Sequence, residues 1–141
     1  MKEITFRESI AKAGRMLWNV FPLILGTILL VSLIVTLIPQ SFYLLIFQGN
    51  KILDPFIGSF IGSISAGNPL ISYIIGGELL NHGISMIAVT AFIIAWVTVG
   101  VIQLPAESVI LGKRFALIRN LLSFIFAIIV AIITVAILGV I

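Results

Sequence analysis

Glu78 and His82 stand four residues apart in an otherwise apolar stretch, a spacing that puts a carboxylate and an imidazole on one face of a helix. Such a pair can carry a proton or handle a cation; as residues of a helix end, with Asn81 and Gly83 beside them, the two can equally reach out to water. An ionisable group in a hydrophobic helix costs about 2.5–3.5 kcal/mol at mid-membrane unless it is paired or hydrated. A second group, Ser63, Ser65 and Asn68, surrounds Gly67 and supplies hydroxyl and amide contacts for a small polar solute or ion. Asn68, directly before Pro69, is also a helix cap by type and place. Gln103 and Glu107, with Asn120, flank the ends of two apolar segments, where they either line a vestibule or mark an interface.

Elements able to position these residues must be membrane helices. Hydrophobic residues make up 61% of the 141 positions, charged residues only 9%, and the mean hydropathy is +1.32, which excludes a soluble globular domain. The expected class is an all-α integral membrane protein lying in the lipid bilayer of the plasma or inner membrane. With no cysteine there is no disulfide or thiolate metal site. No HExxH, GxSxG or phosphate-binding loop is present, so the expectation is no enzyme, no metal and no cofactor. The net charge of +3 arises from basic residues beside apolar segments, which points to membrane orientation and away from nucleic acid.

Along the chain, residues 1–17 form an amphipathic arm with Phe6, Ile10, Ala13 and Leu17 on one face. No removable signal segment is expected there. A first span is expected over 22–38, bounded by Phe21-Pro22 and Pro39, with 40–53 as a turn of helix and a loop. The stretch 54–83 contains two helix starts, Asp54-Pro55 and Asn68-Pro69, around a Gly67 stop. Its arms, Pro55 to Ala66 and Pro69 to His82, reach roughly 18 and 21 Å, short of a hydrocarbon core of about 30 Å. A re-entrant hairpin of two half-helices follows, and its non-helical tip must be covered by protein or line a wet cavity. Further spans are expected over 84–103 and 121–141, three in all.

Charge selects this topology. With a hairpin, Lys2, Arg7, Lys12, Arg15, Lys113, Arg114 and Arg119 share one side and only Lys51 lies opposite; a single broken span would divide them evenly. The positive-inside rule therefore favours the hairpin and a cytoplasmic N-terminus. Gly58, Gly62 and Ala66 in the first half-helix, and Ala88, Ala91, Ala95 and Thr98 further on, form small-residue stripes suited to close helix contact. Three spans and one hairpin cannot enclose a polar tip, so a parallel homodimer or higher homo-oligomer is expected.

The run GSISAGNPLISYIIGGELLNHGISMIAVTAFIIAWVTVGVIQLPAES, within residues 54–120, resembles the core unit of the predicted permease family that includes organoarsenical exporters. The matching features are the polar tip from Ser63 to Pro69, the turn at Gly83, and the Ala-rich start from Ala88 to Phe92. Members typically hold two such units, so the resemblance implies a half-size, single-unit permease that pairs. Many relatives carry cysteines before the Pro; here Ser63, Ser65 and Asn68 take that place, so only the transport class carries over. The alternative from another class is a non-transporting scaffold or accessory subunit. The topology predicts that a single cysteine at position 50 reacts with an impermeant maleimide from outside intact cells, and protection there would remove the hairpin arrangement.

Overall fold

A computed structural model describes residues 6–37, 39–65 and 67–139. Parts of the expected arm, first span, hairpin and last span fall on 1–5, Ile38, Ala66 and 140–141, outside the described residues. The described residues form seven α-helices and no strand: α1 (Phe6–Leu37), α2 (Gln40–Ile46), α3 (Leu53–Ile64), α4 (Pro69–Asn81), α5 (Met86–Thr98), α6 (Leu104–Leu111) and α7 (Lys113–Ile137). Residues 7–33 and 113–137 are long and apolar enough to cross a membrane, whereas α3 and α5 are apolar but shorter.

The chain divides into two units, residues 1–37 and 38–141. The first is the single helix α1, 32 residues long, which runs unbroken through Pro22. The boundary expected between the arm 1–17 and the span 22–38 is therefore not a helix end. A proline removes one backbone hydrogen bond and crowds the carbonyl four residues back, and the apolar residues on either side here continue the helix despite that loss.

In the second unit α5 is the central helix, packed by α3, α4 and α7. Gly58 lies against the backbone of Ala88 and Gly62 against the backbone of Phe92 and Trp96, so four residues along α3 correspond to four along α5 and the two helices run in the same direction. A methyl group at either glycine would overlap a carbonyl oxygen of α5. The glycine stripe of α3 thus meets the α5 backbone at Ala88, Phe92 and Trp96, whereas Ala95 of the other small-residue stripe is buried in a cluster with Val99 and with Ala127 of α7. On its return α4 sets Gly76 against Val89 and Ile93. It runs opposite to α5 and brings Gly67 back beside Trp96.

The half-helices match the expected arms closely, at 12 and 13 residues. The cap at the first is different. Ile52, not Asp54, precedes α3, and Asp54 lies in its first turn at 1% exposure. Its carboxylate accepts from the Gln48 and Gly49 amides at 3.2 and 2.9 Å, closing the loop that enters α3. Asn50 Oδ1 accepts from Ile52 and Leu53 instead and supplies the local cap. The other difference lies in the expected span 84–103, where α5 stops at Thr98 after 13 residues, about 20 Å. The Gly100 amide bonds to Asn120 Oδ1 at 2.8 Å rather than to a carbonyl of α5, and Pro105 stands in the first turn of the next helix. The helix expected from 121 begins already at Lys113 and takes Arg114, Arg119 and Asn120 into its first two turns.

Gly58→Ala and Gly62→Ala should each destabilise the unit by about 1–3 kcal/mol through forced separation of α3 from α5. Gly77→Ala, with nothing within 4 Å of its added methyl, should be neutral or stabilising by up to about 1 kcal/mol. Thermal unfolding of the purified variants in detergent distinguishes the two outcomes.

Candidate functional site

Two interruptions of helix face each other. One is the hairpin tip between α3 and α4, the other the 99–103 segment between α5 and α6. At the tip, Ser65 ends α3 in extended backbone and Gly67 has φ +146°, a conformation that side chains rarely adopt. Asn68 then caps α4, its Oδ1 accepting from Leu70 N at 3.0 Å, with Pro69 in the first turn. Both interruptions share one chemical pattern, a glycine, then a polar amide residue, then a proline: Gly67-Asn68-Pro69 and Gly100 through Gln103 to Pro105. At Gly67 this pattern was readable as a helix stop and start, but the stop after Thr98 and its pairing with the tip were not.

Between them lies a cavity of about 90 Å³ lined by Ser65, Gly67, Trp96, Gly100 and Gln103 among others. The Trp96 Nε1 is 3.5 Å from the Gly67 carbonyl oxygen and helps hold the tip against the end of α5. The cavity can take a few water molecules or a small ion. Of the residues named from sequence, Ser65 and Gln103 reach it. The Ser65 hydroxyl donates to Ile61 O and the Ser63 hydroxyl to Phe60 O, each at 2.7 Å, so both serines are bonded within α3.

Glu107 does not reach the cavity itself but is tied to its wall. Its carboxylate pairs with Arg119 Nη1 at 2.8 Å and accepts from Asn120 Nδ2 at 3.3 Å, while Asn120 Oδ1 holds the Gly100 amide. Asn120 also donates to Ala116 O at 3.0 Å and is buried. One side chain therefore joins α7, α6 and the interruption after α5, which makes Asn120 the main positioning residue of this end. Trp96, Gly100 and Arg119 were not singled out from sequence, since their importance depends on contacts across the fold.

Glu78 and His82 lie together, as their spacing requires, with Glu78 Oε1 and His82 Nε2 3.7 Å apart. That separation is beyond hydrogen-bond reach. The Tyr43 ring stacks on the imidazole with centroids 5.0 Å apart and planes 9° from parallel. Ten residues of α4, about 15 Å, separate Asn68 from Glu78, so the pair is not part of the tip. It sits at the opposite end of α4, where a second cavity of about 310 Å³ is lined by Gln48, Gly49, Asp54, Gly83 and Ser85. Among the described residues no three His, Asp or Glu side chains cluster to hold a metal ion.

Comparison with protein families, curated proteins and solved structures finds no match. Replacing Asn120 by Ala strands the Gly100 amide and removes a partner of Glu107, with an expected loss of about 1–3 kcal/mol. The thermal midpoint of Asn120→Ala measures this directly, and an unchanged midpoint would deny the residue its joining role.

Proposed function

We propose that the chain is a multi-pass membrane permease of the plasma or inner membrane, which moves a small polar solute or ion past the hairpin tip. The observation that carries this reading is the cavity between two facing helix interruptions, Ser65 to Asn68 and Val99 to Gln103. Irregular backbone within a bilayer is tolerated where it lines a hydrated cavity, and paired interruptions of this kind are a mark of solute sites in transporters. The resemblance of residues 54–120 to the permease unit agrees with that role. Ser65 and Gln103 are the proposed contacts, with the backbone around Gly67 and Gly100.

A homo-oligomer, in its simplest form a parallel dimer with cytoplasmic N-termini, completes the proposal. Gly67, Asn68, Pro69 and Leu70 are exposed in the single chain. Inside a bilayer such backbone needs protein cover, which a second hairpin supplies. The scaffold reading has an observation of its own, because Ser63, Ser65 and Asn68 spend their polar groups on their own hairpin.

Flux in proteoliposomes separates the two. Tested against potassium, sodium, phosphate and glycerol, the wild type should pass at least one above the level of empty liposomes. Ser65→Phe, which fills the cavity, should lower that flux at least about tenfold, the loss that a barrier increase of about 1.4 kcal/mol produces. Gly77→Ala, whose added methyl meets nothing within 4 Å, should retain it. Equal flux in wild type, Ser65→Phe and empty liposomes would favour the scaffold.

A further inference from the structure

Between α5 and α7 an open groove of about 290 Å³ runs between Ile94 and Thr98 on one wall and Leu122, Phe126 and Val130 on the other. Arg119 closes one end. The groove is apolar along its length and cationic at that end, a division that matches an amphiphile lying parallel to the helices. From Arg119 to Val130 is eleven residues of helix, about 16 Å, and half of a 30 Å hydrocarbon core is about 15 Å. One leaflet's acyl chain therefore spans the groove from headgroup level to the bilayer centre.

The charges at its head are unequal. Lys113, Arg114 and Arg119 lie within the first two turns of α7, against the single carboxylate of Glu107. Arg119 gives Nη1 to Glu107, but its Nε is shielded from water and has no partner. Topology from the charge distribution puts this end at the cytoplasmic face, where anionic headgroups meet basic segments and each cation near the surface contributes about 1 kcal/mol. A zwitterionic lipid would leave the excess positive charge unanswered.

We propose that the α5–α7 groove binds one anionic phospholipid, its phosphate held at Arg119 and one acyl chain laid along Ile94, Phe126 and Val130. The site rests on the bilayer placement of the chain but not on transport. Flotation of the chain with phosphatidylcholine vesicles tests that placement by itself, and a chain that stays unbound removes both.

The site is tested by titrating the full chain in detergent with phosphatidylglycerol and with phosphatidylcholine, bound lipid being counted by native mass spectrometry. One phosphatidylglycerol per chain should be retained in preference to phosphatidylcholine. Arg119→Gln should lower that preference about fivefold, the factor corresponding to one cation, while Arg119→Lys keeps most of it. Glu107→Gln should raise it by removing the competing carboxylate. Ser123→Phe, which fills the groove, should abolish retention with the thermal midpoint unchanged. Equal retention of the two lipids, no effect of Arg119→Gln, or full retention in Ser123→Phe would overturn the proposal. So would displacement by inorganic phosphate alone, which marks a headgroup site without a chain, or a lipid-independent dimer lost in Ser123→Phe, which assigns the groove to a second copy.

Discussion

The direct approach of α3 to α5 at Gly58 and Gly62 is the contact on which the second unit depends. Two positions without Cβ, four residues apart, let one helix backbone reach another with no side chain between them. Each atom pair in such a contact contributes only about 0.1–0.2 kcal/mol, but many pairs form at once, and this kind of packing drives association where apolar surroundings offer no hydrophobic gain. The contact also sets register. Because Gly62 lies at Phe92 and Trp96, the end of α3 comes level with the end of α5, and the tip is carried to the 99–103 interruption. A shift by one turn would leave each interruption opposite regular helix, and the shared cavity would be lost.

The two interruptions begin from similar residues and are completed differently. At the tip the satisfaction is local: Asn68 caps the helix that follows it, and the two serines bond within the helix that precedes it. After α5 it is distant, since the Gly100 amide depends on Asn120 of α7, which in turn is held by Glu107 of α6 and by the carbonyl of Ala116. The tip is thus a self-contained element, whereas the facing wall belongs to α5, α6 and α7 jointly. A relative movement of α7 would change the cavity through Asn120 without altering the hairpin itself.

How much was legible in the residues follows from the range of the interactions. The half-helix start at Pro69 and its Asn68 cap were readable because capping acts across two or three residues. The small-residue stripes were readable from their period. Asp54 looked like the same kind of cap, yet its carboxylate turns back to Gln48 and Gly49, because Asn50 already serves the first amides of α3. The end of α5 at Thr98 was hidden for another reason: Val99, Val101 and Ile102 are as apolar as the helix before them, and the Gly100 amide is drawn aside by Asn120, twenty residues further on.

By itself, then, the sequence determined an all-helical chain with long apolar helices, a broken pair at 54–83 and the proximity of Glu78 to His82. All of these follow from composition, period and hydrogen bonds that span no more than a turn. The tertiary structure alone decided that the glycines of α3 meet the α5 backbone at Ala88, Phe92 and Trp96, that the tip meets a second interruption, and that Asn120 joins α6, α7 and the segment after α5 around Gly100. Those outcomes rest on contacts between residues from 13 to 34 positions apart, whose geometry is set by how closely two backbones can approach.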